Sequence, residues 1–345
     1  MLAPNSYTMR DVARLARVSV TTVSKVVNGK GRVGRKLTDR VEQAIAALDY
    51  HPNEVARNLK INRTATIGMV VPHVTNPFFA DVFKGAEEKA RPLGYSLLLC
   101  NSNEDPAVEQ DLLRMLARRR VDGILLASAC QSMAAPRRFP PLLCFDREPA
   151  GFTGRVVVID NEFAGYEPGR HLTDLGHERI AIIAGPETTS TGAQRLRGFR
   201  KALREAGKPL RDDYLRNGGF SLEGGYRAGM ELLGLAAPPT AVFCCNNKMT
   251  VGLMLAVRDS GLNCPQDVSV VGFDLFDWYG LVNPRLTSMI QPTYEMGQRA
   301  IESLMQSIQP QDSAQPSDTP ERVVLRAELR IGESTAPIAK LQPAA

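Results

Sequence analysis

Aromatic residues make up only 6% of this 345-residue chain, which holds a single tryptophan and four histidines, His51, His73, His171 and His177. The histidines do not cluster in sequence. The six cysteines (Cys100, Cys130, Cys144, Cys244, Cys245 and Cys264) form no Cys-x-x-Cys pair and no Cys/His group at zinc spacing. No metal is therefore expected, and most of these cysteines sit in or beside apolar runs, where a reduced thiol serves as a small hydrophobe. No stretch approaches the roughly 18 consecutive apolar residues that span a bilayer. The opening Met1-Leu-Ala-Pro-Asn-Ser-Tyr7 has neither a basic n-region nor an apolar h-region, so a cytoplasmic protein is expected. A Gly-x-Ser-x-Gly elbow and a phosphate loop are also missing. Two common enzyme signatures of α/β scaffolds are thereby removed, and no catalytic residue or cofactor is assigned.

What is present is an ordinary globular composition, 43% apolar and 23% charged, over a length that calls for two or three domains. The charge is unevenly distributed. Residues 1–63 carry twelve Lys/Arg against five Asp/Glu, leaving thirty basic and thirty-two acidic residues for the rest. A compact basic unit on a near-neutral body is the electrostatic footprint of a nucleic-acid binder.

The basic segment reads as three short helices. Thr8 and Asp11 have the spacing of a capping box, followed by Val12, Leu15 and Ala16 on one helical face. Arg17-Val18 interrupts that helix. Ser19 can cap a second, with Val23, Val26 and Val27 inward and a stop at Asn28-Gly29. A third helix starts at Thr38 and offers Val41, Ala44, Ile45 and Leu48 to a small shared core. In such a helix-turn-helix the start of the second helix meets base edges. Val20, Thr21, Thr22 and Lys25 then face outward, the short side chains suiting thymine methyls and Lys25 a guanine or a phosphate. Gly29-Lys-Gly-Arg-Val-Gly34 matches G-x-G-x-x-G literally. These glycines follow a helix rather than a strand, so a basic interhelical loop is the better reading than a dinucleotide fingerprint.

After Tyr50-His-Pro52, Asn53 can cap a short helix over 54–59. Six residues do not hold a helix alone in water, so this one needs something to pack against. From Thr66 onward, apolar strands (67–71, 95–100, 123–126, 179–184, 241–245, 268–273) alternate with amphipathic helices (78–91, 108–118, 193–206, 248–258). Such alternation predicts doubly wound parallel sheets, and the length predicts two. Ligands of such sheets lie beyond the carboxyl ends of the strands. The residues there are 73–79, Ser128, Asp146, Asp160-Asn161, 186–195, Asn246-Asn247 and Asp274. This mixture of polar groups and aromatics suits a hydroxyl-rich small molecule.

Dense motifs carry a family resemblance: Val12-Ala13, Val18-Ser19, Thr22-Val23-Ser24, Val26, Asn28, Tyr50-His-Pro-Asn53 and Val55-Ala56-Arg57-Asn-Leu59 in the head. In the body stand Thr75-Asn-Pro-Phe-Phe79, Val121-Asp-Gly123, Asp160-Asn161, His171 to His177, Val268 to Asp274, Pro284-x-Leu-Thr287 and Gln291-Pro292. The chain resembles the lactose/galactose repressor (LacI) family. That resemblance implies an all-α helix-turn-helix head with a hinge helix, joined to a periplasmic-binding-protein-like α/β core of two doubly wound subdomains. It implies an allosteric transcription regulator, most often a repressor, that binds operator DNA as a homodimer under control of a small-molecule effector. Paired hinge helices would enter the minor groove, with Leu59 wedged between base pairs, Ala56 allowing close approach and Lys60 reaching phosphate or groove. The candidate DNA-binding set is then Thr8, Ser19, Val20, Thr21, Thr22, Ser24, Lys25, Asn28, Ala56, Leu59 and Lys60.

By the same resemblance Phe79, Arg195, Phe220, Asn246 and Asp274 line the effector cleft, with Asp274 accepting hydrogen bonds, Arg195 donating them and Phe220 stacking. Phe78, Ser128, Asp146 and Thr191 complete the candidate set, although Phe78 and Phe79 also fit as core residues at a helix start. Asn246-Asn247 replaces the family's usual Asn-Asp. Thr188-Thr-Ser190 stands where the purine-binding member has an arginine, so a monosaccharide, sugar acid or sugar phosphate is expected before a purine. The expected segments are 1–52 (head), 53–63 (hinge), 64–175 with 292–322 (first subdomain), 176–291 with 323–335 (second) and 336–345 (tail). The tail lacks heptads, which argues against a tetramerising coiled coil. A transporter's solute-binding protein would share the body but needs export and has no use for a basic head.

Overall fold

The computed structural model describes residues 7–27, 32–50, 63–133, 139–274, 281–309 and 322–338, in two compact units, Met1–Thr64 and Ala65–Ala345. In the first unit, α1 (Met9–Ala16), α2 (Val20–Val27) and α3 (Arg35–Ala47) surround a core of Val12, Ala13, Ala16, Val23, Val41, Ala44 and Tyr50. The Thr8 backbone N–H and hydroxyl both donate to Asp11 Oδ2, at 2.9 and 2.7 Å, fixing the start of α1. It ends where Arg17 turns left-handed (φ 49°). Arg40 of α3 reaches back to donate from Nη2 to the Ala16 carbonyl at 2.5 Å, satisfying an orphan acceptor at that helix end. Ser19 Oγ accepts from the Thr22 N–H at 3.1 Å and so opens α2.

Two details differ from the sequence-based expectation. The third helix begins at Arg35, three residues ahead of Thr38. Leu15 is 52% exposed rather than interior. Met9, Val12, Ala13 and Ala16 follow the i, i+3, i+4, i+7 stripe, and Leu15 falls about 100° away from its centre. Asn28, the expected 54–59 helix with Ala56 and Leu59, and the adjoining Lys60 lie outside the described residues.

The second unit holds two six-stranded sheets. β1 (Thr66–Val71), β2 (Ser96–Asn101), β3 (Gly123–Leu126), β4 (Leu142–Phe145), β5 (Arg155–Ile159) and β11 (Arg322–Leu325) form one, in the order β11-β5-β4-β3-β1-β2. β6 (Ile180–Ala184), β7 (Leu215–Asn217), β8 (Ala241–Cys244), β9 (Ser269–Phe273), β10 (Thr287–Ile290) and β12 (Glu328–Arg330) form the other, in the order β12-β10-β9-β8-β6-β7. All pairings are parallel except β10 with β12. The central strands read as nearly unbroken apolar runs because both faces are covered. In the first sheet Val70, Ile124, Leu126 and Cys144 face Leu113 and Leu116 of α5 (Pro106–Arg118). The alternate residues Ile67, Met69, Leu125 and Phe145 share a core with α4 (Pro77–Ala90) and α10 (Thr293–Ile308).

The remaining helices are α6 (Asn161–Asp174), α7 (Ser190–Glu205), α8 (Leu222–Leu233) and α9 (Asn247–Asp259). α4 packs on α10, α6 on α7 and α8 on α9. Each pair meets through a glycine on both helices. A Cβ on Gly165 would overlap the Arg195 carbonyl, one on Gly198 that of Glu162, and Gly85 with Gly297 and Gly225 with Gly252 behave alike. Glycine costs helix propensity, but here it lets backbones approach to contact distance.

This packing corrects three expected boundaries. α6 lies against α7 and the strands of the second sheet, so the chain crosses between Ile159 and Asn161 rather than near 175. β11 pairs with β5, which puts the last crossover between Leu325 and Glu328 instead of at 322. Residues 336–338, expected in the tail, pack against the core. His177 Nε2 lies 3.1 Å from the Ala336 carbonyl, and the Ile338 N–H donates to Leu175 at 3.0 Å. No described helix is long and apolar enough to cross a membrane.

Candidate functional site

A cleft of about 420 Å³, including its open mouth, lies at the carboxyl ends of both sets of strands. His73, Asn76, Phe78 and Phe79 follow β1, Glu104 follows β2, and Asp146 and Arg147 follow β4. From the second sheet come Thr191, Arg195, Phe220, Asn246, Asn247, Asp274 and Gln291. Local chemistry aims several of these. Asn76 caps α4 by accepting the Phe78 N–H at 3.1 Å, with Pro77 in the first turn. Asn246 caps α9 through Met249 at 2.9 Å. Glu104, Asp146, Phe220 and Asp274 all take positive φ (54–61°), a conformation that is rare for side-chain-bearing residues and turns the chain sharply at a strand end. The Phe220 ring occupies the space that a Cβ on Gly185 would fill.

The polar groups are interlocked. Arg147 donates to both Glu104 oxygens, from Nη1 at 2.6 Å and Nη2 at 2.8 Å, and its Nε stands 3.7 Å from Asp146 Oδ2. Arg195 donates from Nε to Asn161 Oδ1 at 2.8 Å and from Nη1 to the Cys245 carbonyl at 2.7 Å, while its guanidinium lies 3.8 Å from the Phe273 ring centre. Asp274 accepts from the Gln291 side chain at 2.9 Å and from its backbone N–H at 3.3 Å. Burial raises the Asp274 carboxyl to about 6 against the pull of Arg195 and Gln291. Burial also raises Asp146, and it lowers the His73 imidazole. Asn247 Nδ2 donates to Asn76 Oδ1 at 2.9 Å, joining the two sides of the cleft. Two buried atoms, Arg147 Nε and Gln291 Oε1, have no hydrogen-bond partner among the described residues. Unpaired buried polar atoms in a concave site are what a polar ligand would satisfy.

Of the residues expected at the effector site, the structure brings together Phe78, Phe79, Asp146, Thr191, Arg195, Phe220, Asn246 and Asp274. Ser128 is not among the lining residues. Its hydroxyl donates to the buried Glu109 at 2.8 Å and accepts from the Cys130 N–H at 3.0 Å, and its carbonyl accepts from Arg147 at 3.4 Å. It supports Arg147 from behind. Glu104 and Arg147 were not read from the sequence as site residues. The signal for Arg147 was its place beside Asp146 at the end of an apolar run, since an arginine there needs a carboxylate partner. Gln291 was noted only as part of a motif. No cluster of metal-binding side chains occurs among the described residues.

On the head, Val20 is 42% exposed, Thr21 and Lys25 are exposed, and Thr22 and Ser24 are half-buried, so the start of α2 offers a short, mostly polar surface. Thr8 and Ser19 are exposed as well, but their side chains are spent on helix starts. Arg10, Arg14, Arg17, Arg35 and Lys36 of the same unit are exposed.

Residues 8–53 match the family described as bacterial regulatory proteins, lacI family, and residues 64–325 match periplasmic binding proteins and the sugar binding domain of the LacI family. The chain belongs to the LacI family. It is 37% identical over 338 residues to the HTH-type transcriptional repressor PurR of Mannheimia succiniciproducens, covering 96% of this chain and 99% of that protein. Among solved structures it is similar to a lac repressor dimer bound to operator and the anti-inducer ONPF (TM-score 0.83, 27% identity, 96% of this chain and 100% of that one). It is also similar to a complex of the transcriptional regulator CelR with cellobiose (TM-score 0.70, 31% identity, 95% and 99%). The family places this chain among DNA-binding transcription regulators with an effector-binding core, rather than among enzymes.

Proposed function

We propose that this protein is a cytoplasmic repressor that binds operator DNA as a homodimer, and that a sugar-like effector in the cleft controls its hold on the operator. The observation that carries the reading is the cleft itself, which sets acceptors (Asp146, Asp274, Gln291) and donors (Arg147, Arg195) around the Phe220 ring. Adjacent sugar hydroxyls both donate and accept, and a sugar's apolar face stacks on an aromatic ring. The relatives' names support repression and the CelR–cellobiose complex supports a sugar. On the head, Val20, Thr21, Thr22 and Lys25 read bases and phosphates.

Each half of the core contributes lining residues, so a ligand bridging them favours one disposition of the halves over another. Operator affinity follows if the head's hold on DNA depends on that disposition. A ligand shifts such a balance only by its differential affinity for the two states, so operator and effector must alter each other's affinity by the same factor. The test is a thermal-shift screen of sugars followed by titration of the hit with and without operator DNA. Equal effector affinity in both titrations would refute the mechanism.

A further inference from the structure

We propose, resting on the sugar-like reading above, that the effector is an uncharged polyol, and that the Glu104–Arg147 pair excludes sugar acids and sugar phosphates by committing the cation they would need. The cleft lining has two arginines, Arg147 and Arg195, against three carboxylates, Glu104, Asp146 and Asp274. Arginine holds a carboxylate or phosphate through the paired N–H groups of its fork. In Arg147 that edge is occupied, both terminal nitrogens lying on Glu104 at 2.6 and 2.8 Å, while the buried Nε has no hydrogen-bond partner among the described residues and stands 3.7 Å from Asp146 Oδ2. Arg195 gives Nε to Asn161 and one N–H of Nη1 to the Cys245 carbonyl, so neither of its edges has both nitrogens free. Lys248 lies near His73 and Glu104, adding to the charge that already balances Glu104.

An entering anion would therefore meet two buried aspartates and no guanidinium with both terminal nitrogens free of protein partners. Like charges repel strongly where water is excluded. Burial already raises the carboxyls of Asp146 and Asp274, so a further negative charge beside them would be opposed. A hydroxyl suits the same atoms. It can donate to Asp146, Asp274 or Gln291 Oε1 and accept from Arg147 Nε, so a molecule with several hydroxyls can partner both buried atoms that lack a hydrogen bond.

The test uses the full chain and calorimetric titration with three probe sets: neutral sugars (ribose, glucose, galactose, cellobiose), matched anions (ribose 5-phosphate, glucose 6-phosphate, gluconate, glucuronate) and purine bases (hypoxanthine, adenine). A neutral sugar should bind at least tenfold more tightly than its matched anions. Tighter binding of an acid or phosphate overturns this inference and leaves the sugar-like reading standing. If only a purine binds, or nothing does, the sugar-like reading fails and takes the inference with it. Glu104→Gln should free the Arg147 fork and move the anion-to-neutral affinity ratio at least tenfold toward the anion, whereas an unchanged ratio overturns the role of the pair. Glu104→Asp keeps the charge but shortens the reach, and should give an intermediate ratio. A ratio equal to that of the parent would likewise overturn the role of the pair.

Discussion

Asp274 should weaken the fold that it serves. The residue is 7% exposed, and burial raises its carboxyl from 3.8 to about 6. A folded value above the unfolded one means that the native state keeps a proton that the unfolded chain releases. The group's contribution to stability is therefore complete below about pH 4 and is lost as pH rises through about 6. At 1.36 kcal/mol per pH unit, ionised Asp274 costs about 3 kcal/mol at neutral pH. Asp274→Asn removes the charge while keeping the shape, and asparagine tolerates the left-handed conformation (φ 57°) found here. Its oxygen can keep the Gln291 backbone N–H. A flip of the Gln291 amide then brings Oε1, which now lacks a partner, onto the new NH₂ group.

The variant should accordingly be more stable than the parent above pH 6, by about 1–3 kcal/mol once hydrogen-bond rearrangement is allowed for, and equal to it near pH 4. For a domain of this size that is a rise of about 3–10 °C in melting temperature at pH 7.5. Scanning calorimetry from pH 4 to 8 without effector measures it. The same variant should lose at least tenfold in effector affinity, because charge-assisted hydrogen bonds become neutral ones. A variant less stable than the parent at pH 7.5, or one whose advantage is the same at pH 4, would refute the electrostatic argument. Effector affinity within about twofold, or about 0.4 kcal/mol, would refute the placement of the cleft.

Other substitutions separate the roles of head, scaffold and cleft. Lys25→Ala should weaken operator binding and flatten its salt dependence by about one counterion in a log–log plot, with the effector's thermal shift unchanged. Gly198→Ala drives a Cβ into the Glu162 carbonyl and should destabilise the core by about 1–3 kcal/mol in urea unfolding, with effector affinity falling because Arg195 rides on the same helix. Asn161→Ala strips the acceptor from Arg195 Nε and should cost about tenfold in effector affinity, roughly one lost hydrogen bond to a charged group, while operator binding without effector is retained.

Most strands of the core were legible because they are buried on both faces. Ile67 to Val71 and Ile180 to Ala184 are apolar at every position except glycine, and their short length and β-branched content fit a covered parallel strand. The helix starts were legible where a side chain caps them, as at Thr8 and Ser19. α6 and α8 were harder. The first carries Pro168 inside it and the second Gly224, Gly225 and Gly229, all of which lower local helix propensity. Both helices hold because a partner helix packs on their small residues, a contact invisible in one local window. The Ser128 assignment failed for a similar reason. Its position after β3 was right, but the side chain turns to Glu109, a helix carboxylate whose complete burial leaves no mark in the sequence.

The cleft is built at a local cost, and that cost bears on how it works. Four of the nine non-glycine residues with positive φ among those described are Glu104, Asp146, Phe220 and Asp274, all of them lining residues. Aspartate accepts this conformation readily, but for Glu104 and Phe220 it costs about 1–2 kcal/mol each. Asp274 adds its buried charge, and Arg147 Nε and Gln291 Oε1 add unpaired hydrogen-bonding capacity. These terms are tolerated because the glycine-packed helix pairs hold the surrounding backbone to one geometry. A polyol that pairs Asp274, Arg147 and Gln291 removes part of that cost as well as adding contacts of its own. Its binding free energy is thereby tied to the arrangement of both halves of the core, which is the differential affinity that an allosteric regulator requires.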